Sequence, residues 1–242
     1  MKKKLILIFV NVLIGFTLYA QNKQLTLVYT IESIDENSLE KNISDYELFI
    51  GAQKSKYYLT NTKELGADKI IKSENLPLIK DLKEGYVYED KSMFGKQFFI
   101  QDTLSKLFKW KLIDDCKTIL GYECFKAETP FRGRVYEVWY TPEIPIQNGP
   151  YKFHGLPGLI LEVKRRDVDK YSFKFHCIAK EIKFSNQNEV IKNPYKNKSL
   201  SSFQDFKNFF TKLNTRLTNY TGEDGTTTIT ISSGYIEYWL NE

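Results

Sequence analysis

The chain has 242 residues, of which 42% are hydrophobic and 15% aromatic, and a formal net charge of +5. This composition excludes a disordered protein and suits one β-rich domain or two small ones. Without the three lysines that follow Met1, the 35 basic side chains fall to 32, against 30 acidic ones. Such a balance argues against nucleic acid as a partner, because that binding depends on neutralising phosphates.

The first twenty residues have the order of a secretory signal peptide. A basic start is followed by an apolar run over 5–18 and a small residue, Ala20, at the expected cleavage point. The alternative is a transmembrane anchor, but the run is short for a bilayer and contains Asn11. We therefore expect a signal peptide at 1–20 and one mature domain over 21–242. The mature domain should lack a transmembrane segment and lie in the periplasm or at the outer membrane.

Strand patterns dominate the first half of the mature chain, where β-branched and aromatic residues alternate with polar ones. Polar and charged stretches between them predict loops. The predicted elements are a strand over 23–31, a loop over 33–45, a hairpin of 47–50 and 54–59 about Gly51-Ala52, an irregular section over 61–84, and a hairpin of 86–90 and 97–101 about Phe94-Gly95.

The cysteines Cys116 and Cys124 flank a predicted hairpin turn at 119–121, and Cys177 lies farther along the chain. If Leu120 is the centre of an odd-numbered loop, Cys116 faces Cys124. Directly opposed residues lie about 4.5–5.5 Å apart at Cα, which is the lower part of the range that a disulfide spans. An exported protein meets oxidising conditions. The hypothesis is a Cys116–Cys124 disulfide, and the alternative is three free thiols.

Two arginines, Arg132 and Arg134, flank Gly133 and share one face of a predicted strand. Guanidinium groups suit carboxylate and other anionic ligands, so an anion clamp is one interpretation. The other is pairing with glutamates of adjacent strands.

A Pro-Gly turn is predicted at Leu156-Pro157-Gly158-Leu159, in which Gly158 takes the positive φ of a type II turn. An earlier reversal is predicted at 147–150, and a strand with alternating inward residues follows Leu159. The pattern favours a structural role, with a ligand-contacting loop as the alternative. The motif residues are Gly149, Pro150, Gly155, Leu156, Pro157, Gly158, Leu159 and Ile160.

These residues resemble the signature of the GLPGLI family, secreted proteins of Gram-negative bacteria that are named after the motif and have no assigned function. The runs at 119–127, 131–134 and 139–146 are similar to the family's motifs and stand in the same order. The resemblance covers roughly residues 110 to 163. It implies secretion, and it implies no particular reaction or ligand.

The last part of the chain adds the one amphipathic helix. A polar stretch over 186–200 predicts a loop, and Ser201 or Ser202 is a candidate cap for the helix that follows. The predicted elements are a long strand over 171–184, a helix near 202–219 carrying Phe203, Phe206, Phe210, Leu213 and Leu217 at helical spacing, and closing strands over 226–232 and 235–240.

Catalytic signatures are not found in the sequence, which lacks a Gly-x-Ser-x-Gly elbow, a His-Glu-x-x-His helix, a phosphate-binding glycine loop and a Cys-x-x-Cys pair. The chain holds two histidines, His154 and His176, on separate segments. A metal site that joins them with a carboxylate or Cys124 is an open alternative. We expect no metal, no cofactor and no enzymatic activity, although a carboxylate-based hydrolase remains an alternative.

Together these patterns predict an α+β fold that is mostly β. The expected architecture is a curved antiparallel sheet, a half-barrel or bowl, with one C-terminal amphipathic helix packed on it. The leading hypothesis for function is a non-catalytic binding or carrier protein of the cell envelope, for a lipid-like or extended apolar ligand. The alternatives are an accessory module that recognises peptides or glycans in an envelope assembly, and an uncharacterised hydrolase.

Overall fold

The structure is a computed structural model that describes residues 24–35, 41–64, 76–93, 95–166, 173–186 and 189–218. The predicted signal peptide at 1–20 lies outside the described residues. So do the two predicted closing strands at 226–232 and 235–240.

The described chain forms twelve strands, one 3-10 turn and one helix. The elements are β1 Gln24–Asp35, β2 Lys41–Ile50, β3 Lys54–Glu64, β4 Leu78–Asp81, β5 Tyr86–Met93, β6 Lys96–Thr103, the 3-10 turn Leu104–Lys106, β7 Lys111–Ile119, β8 Tyr122–Phe131, β9 Arg134–Thr141, β10 Leu159–Arg165, β11 Phe173–Ser185, β12 Leu200–Ser201 and α1 Phe203–Thr218.

All twelve strands belong to one open sheet with the order β12-β6-β5-β4-β3-β2-β1-β11-β10-β9-β8-β7. Strand β1 lies in the middle and pairs antiparallel with β2 on one side and β11 on the other. The other pairs are also antiparallel, except that the short β12 runs parallel to β6. The two edges of the described sheet are therefore β12 and β7.

The sheet is strongly curved. Nine steps in the strand order separate β6 from β8, which in a flat sheet would place them roughly 40 Å apart. Yet Arg132, in the turn after β8, contacts Asp102 of β6 at 3.0 Å. The two ends of the sheet therefore approach each other, and the sheet forms a half-barrel.

The concave face is filled by residues 142–158, which join β9 to β10 and are called the connector below. Lys80 of β4 donates to the carbonyl oxygens of Gly149 at 2.5 Å and Phe153 at 3.2 Å. The Asn148 amide donates to the Ser55 hydroxyl of β3 at 3.0 Å, and both groups are buried. These polar anchors, which lie among the apolar residues of the main core, fix the connector against the inner face of the sheet.

Helix α1 packs on the β6 end of the sheet. Its residues Phe203, Phe206 and Phe210 are buried against Phe98 and Ile100. Of the two candidate caps, Ser202 is the one that the structure uses: its hydroxyl accepts from the Asp205 N–H, and the Asp205 carboxylate accepts from the Ser202 N–H. This reciprocal arrangement is a capping box. No helix among the described residues is long and apolar enough to cross a bilayer.

The predicted fold class is confirmed: a mostly β, curved antiparallel sheet with one C-terminal helix. The predicted loop over 33–45 is wrong at both ends, because β1 continues to Asp35 and β2 begins at Lys41. Polar residues in this stretch remain in the backbone ladder, which pairs Ile34 with Lys41. The residues of this stretch are mostly polar and do not alternate with apolar ones, so the sequence does not predict the ends of these two strands.

The predicted type II turn at Gly158 is also wrong. The positive-φ glycine of the motif is Gly155, with φ of 89°, and the Gly158 N–H instead bonds the Leu156 carbonyl at 2.8 Å. A Cβ atom at Gly158 would lie 2.1 Å from the Thr141 carbonyl oxygen. Glycine is required at 158 because two backbone segments touch there, and not because of its φ angle.

The predicted opposition of Cys116 and Cys124 is wrong by one residue. The β7–β8 turn contains two residues, Leu120 and Gly121, both with positive φ, rather than three. Cys116 therefore pairs with Phe125, and Cys124 pairs with Lys117. The cysteines fall on opposite faces of the hairpin, Cys116 exposed and Cys124 buried, and all three cysteines are free thiols.

Candidate functional site

A groove opens where β3 and β5 diverge. Strand β4 bridges β3 and β5 only over Leu78–Asp81, and among the described residues no strand lies between the later part of β3 and that of β5. The groove has a volume of about 710 Å³, within the usual size of ligand pockets. We call it the tyrosine groove. It is lined by Ile31, Tyr46, Lys56, Tyr57, Tyr58, Leu59, Leu76, Pro77, Leu78, Glu89, Asp90 and Tyr151.

A stacked pair of aromatic rings forms one wall of the tyrosine groove. The rings of Tyr46 and Tyr57 lie nearly parallel, 7° apart, with centroids separated by 4.9 Å. Tyr57 is only 5% exposed, and among the described residues its hydroxyl has no hydrogen-bond partner. A buried, unpartnered hydroxyl is costly. It is therefore an unsatisfied polar group in the wall of the groove.

The protonation of Tyr57 is set by its burial. Burial, followed by the neighbouring thiol of Cys177, raises the pKa of Tyr57 well above the ordinary value of 10.0. The hydroxyl thus keeps its proton at neutral pH and can both donate and accept a hydrogen bond.

Two consecutive acidic residues, Glu89 and Asp90 of β5, border the tyrosine groove. Glu89 accepts a hydrogen bond from the Tyr151 hydroxyl at 2.6 Å and forms ion pairs with Lys152 at 2.7 Å and Lys91 at 3.2 Å. Asp90 accepts from the Gln97 amide at 3.1 Å. Neighbouring residues of a strand point to opposite faces, so these carboxylates do not form the facing pair that glycoside hydrolysis uses.

A second tyrosine–carboxylate contact lies beside the groove, where the Tyr58 hydroxyl donates to Glu47. Burial and this hydrogen bond raise the pKa of Tyr58. The raised pKa opposes a role for Tyr58 as an ionised nucleophile. The chemistry that this groove offers is recognition by ring faces, hydroxyls and carboxylates.

The predicted anion clamp is not assembled. Arg132 lies in the two-residue turn between β8 and β9 rather than in a strand, with φ of 50°. Its guanidinium contacts Asp102 at 3.0 Å, while Arg134 is buried at the start of β9. Pairing with an acidic residue, the alternative interpretation, describes Arg132 better, although its partner comes from β6 and is an aspartate.

The two histidines lie in different surroundings. Burial, reinforced by the positive charge of Lys80, lowers the pKa of His154 to about 4. His176 contacts Glu162 at 2.8 Å on another part of the sheet. Within the described ranges no group of three or more acidic, histidine or cysteine side chains could hold a metal ion.

Glu162 is a strand residue that the alternating pattern placed outward, yet it is only 4% exposed. Burial alone would raise its pKa. The hydrogen bonds from His176 and Lys117 outweigh that effect and hold the pKa of Glu162 below its ordinary value. This cluster is a satisfied ion-pair network.

The motif residues do not line the tyrosine groove. Leu156, Gly158, Leu159 and Ile160 are buried in or beside the connector, whereas Gly155 and Pro157 are exposed. One connector residue, Tyr151, reaches the groove. The sequence signal that could have pointed to the groove is the Tyr57-Tyr58 pair, which places aromatic rings on both faces of one strand.

Comparisons with known proteins place this fold in context. Similar structures include PNGF-II in space group C2, with a TM-score of 0.50 and 18% identity over 78% of this chain and 33% of that one. A second PNGF-II structure, in space group P21, has a TM-score of 0.48 and 18% identity over 78% and 34% of the two chains. An uncharacterised conserved protein from Thermus thermophilus has a TM-score of 0.38 and 10% identity over 76% and 93%.

The first of these likenesses shows a shared fold, and the two with lower scores carry no argument about this chain. The chain spans about a third of the length of the PNGF-II chains that it matches. A comparison with curated protein sequences finds no match. A family model described as "N-glycanase peptide, N-terminal domain" matches residues 37–205. Since this match extends over more than half of the chain, the protein belongs to the N-glycanase peptide N-terminal domain family.

Proposed function

We propose that this protein is a non-catalytic glycan-recognition domain whose binding site is the tyrosine groove. The observation that carries the proposal is the buried hydroxyl of Tyr57, which has no hydrogen-bond partner in the part of the chain that the structure describes, in a groove lined by tyrosine rings. The family is named for an N-glycanase, which supports a ligand of carbohydrate type.

Hydroxyl-rich ligands match both kinds of surface in the groove. The apolar face of a sugar ring can cover an aromatic ring, and its hydroxyls can pair with the polar groups at the rim. Tyr57 and Asp90 offer a hydroxyl and a carboxylate for such pairing. Because the Tyr57 hydroxyl has no partner among the described residues, a hydrogen bond from the ligand would remove an existing cost instead of replacing a protein contact.

An apolar or lipid-like ligand is the second candidate, and it is favoured by the aliphatic part of the groove wall, Ile31, Leu59, Leu76 and Leu78. A carrier in which the ligand fills the bowl is less well supported. The connector occupies the concave face and places buried polar groups there, including Lys80 and Asn148.

The absence of catalysis is part of the proposal. It is supported by the acidic groups of the groove, since Glu89 is already engaged by Tyr151 and two lysines. An envelope location, which follows from the predicted signal peptide at 1–20, is proposed with it.

The test compares Tyr57→Phe with wild type on an oligosaccharide array, followed by titration of the best neutral oligosaccharide. We expect Tyr57→Phe to bind roughly tenfold more weakly, since about 1.4 kcal/mol is lost with one hydrogen bond. Its stability should stay equal or rise, because the variant deletes an unpartnered buried hydroxyl. Tyr86→Phe, on an exposed tyrosine outside the groove, is the matched control.

Phosphatidylethanolamine vesicles and unglycosylated peptides form the other arms of the experiment. Binding to vesicles alone, with Tyr57→Phe unchanged, would support the apolar-ligand candidate and reject the glycan proposal. A protein that binds no oligosaccharide, or a Tyr57→Phe variant that binds as well as wild type, would also reject it.

A further inference from the structure

Lys152 is a buried charged residue that does not line the tyrosine groove but contacts a residue that does. Its side chain is 0% exposed and lies between two carboxylates, Glu89 at 2.7 Å and Asp102 at 3.0 Å. Full burial of a lysine is costly unless its charge is compensated. The two carboxylates therefore share this ammonium group, although Glu89 also pairs with Lys91 at 3.2 Å and Asp102 also pairs with Arg132 at 3.0 Å.

On one side, Lys152 is linked to the tyrosine groove through Glu89. Glu89 lines the groove and accepts the Tyr151 hydroxyl hydrogen bond at 2.6 Å. Tyr151 also lines the groove and is adjacent to Lys152 in the connector. A ligand that bonds Glu89 or draws away the Tyr151 hydroxyl changes the field at Lys152.

On its other side, Lys152 is linked to helix α1 through Asp102 of β6. Asp102 pairs with Arg132 at 3.0 Å, and the Arg132 guanidinium carbon lies 3.1 Å from the ring centre of Phe203, the first residue of α1. A second cavity of about 640 Å³ is bordered by Asp102, Arg132 and Phe203. A chain of four charged side chains thus joins the groove to the start of the helix: Glu89, Lys152, Asp102 and Arg132.

We propose that Lys152 is a positioning residue that couples the tyrosine groove to the docking of helix α1. The inference rests on the proposed function, since it assigns a regulatory connection to that groove. When a ligand engages Glu89, the positive charge of Lys152 is compensated less by Glu89 and its ion pair with Asp102 becomes stronger. Asp102 then bonds Arg132 less strongly, and the Arg132–Phe203 contact at the start of the helix loosens. By linkage, a partner that stabilises α1 in its docked position weakens ligand binding in the groove.

The first experiment needs no ligand. Glu89→Gln removes the negative charge that faces Lys152 at position 89. The variant thereby imitates a ligand that engages the Glu89 carboxylate. We expect the amides of 206–210 in α1 to exchange with solvent roughly three- to tenfold faster, in the range of coupling that buried networks transmit. Glu47→Gln is the matched control, because Glu47 lies beside the same groove but bonds Tyr58.

A charge-restoring variant separates coupling from simple damage. Glu89→Gln combined with Lys152→Met removes one negative and one positive charge and leaves the Asp102–Arg132 pair. We expect exchange over 206–210 to return to within about twofold of wild type. If the double variant does not fold, Glu89→Gln combined with Lys152→Gln serves the same purpose with a polar side chain.

The outcomes distinguish this inference from the proposed function. If the array yields an oligosaccharide, saturating amounts of it should accelerate exchange over 206–210 in wild type and leave Glu89→Gln unchanged. If no oligosaccharide binds, the proposed function fails and the ligand-free exchange still decides the coupling. Equal exchange in Glu89→Gln, Glu47→Gln and wild type overturns the inference. A double variant that exchanges faster than Glu89→Gln over 206–210 also overturns it.

Discussion

Gly158 occupies a position where the backbone leaves no room for a side chain. A Cβ atom there would lie 2.1 Å from the carbonyl oxygen and 2.6 Å from the carbonyl carbon of Thr141. These are backbone atoms of β9 that cannot rotate away, and the same close approach holds the end of the connector against the sheet. The cost of any substitution is therefore a displacement of main chain.

Gly158→Ala should destabilise the protein by roughly 3 kcal/mol or more, the upper end of what overpacking costs. Gly95→Ala is the control, because Gly95 has φ of 75° and no described residue lies within 4 Å of a Cβ atom there. That variant should lose only about 1 kcal/mol through backbone strain. Urea denaturation at constant m-value measures both free energies of unfolding. Equal losses in the two variants would contradict the role assigned to the Thr141 contact.

The sequence predicts that Gly158 is structural, but it cannot supply the reason. A Pro-Gly pair has the composition of a local turn, whereas the contact with Thr141 joins residues on two different segments. Tyr57 presents the same difficulty. Its aromatic character is visible in the sequence, but its surroundings depend on β2, β5 and the connector meeting around it.

At the scale of elements, the β7–β8 hairpin shows how much one residue of loop length decides. A two-residue turn, in which Leu120 and Gly121 have φ of 52° and 86°, shifts the register by one relative to a three-residue turn. A shift of one residue moves side chains to the opposite face of a strand. Cys116 becomes exposed on the edge strand and Cys124 is buried.

This register predicts the thiol chemistry of the purified protein. Under denaturing, non-reducing conditions a thiol reagent should titrate three cysteines, the same number as after reduction. In the folded protein only Cys116 should react quickly. Burial raises the pKa of Cys124 to about 11 and that of Cys177 well above its ordinary value, which lowers the thiolate fraction at both sites. A count of one thiol before reduction would show that a disulfide forms and that the register is different.

Elements with a strong local period are predicted well from the sequence, and those defined by partners are not. Helix α1 is evident from Phe203, Phe206 and Phe210, because three apolar rings at helical spacing need no distant information. The paired ends of β1 and β2 are not evident from the sequence, since their polar residues form strand through backbone pairing with each other. The tyrosine groove is missed for a similar reason: it lies beyond the end of the four-residue strand β4, and its wall combines residues from several separate strands.

At the scale of the whole molecule, Lys80 links the curved sheet to the connector through hydrogen bonds. Its ammonium group is fully buried and donates to the carbonyl oxygens of Gly149 and Phe153. Burial lowers the pKa of Lys80 well below the ordinary value of 10.5. The unfolded chain, in which this lysine is solvated, binds the proton more tightly.

The contribution of Lys80 to the global stability should therefore rise as pH increases toward 10.5. In the window between the folded pKa and 10.5 the unfolded state holds one more proton, so the free energy of unfolding gains up to about 1.4 kcal/mol per pH unit. The stabilisation is complete above 10.5 and is lost as pH falls through that window. Lys80→Met has no proton to lose at this position. The difference in unfolding free energy between wild type and Lys80→Met should therefore grow in favour of wild type as pH rises toward 10.5. Lys83→Met, at an exposed lysine three residues away, should follow the wild-type curve; parallel curves for wild type and Lys80→Met would contradict the assignment.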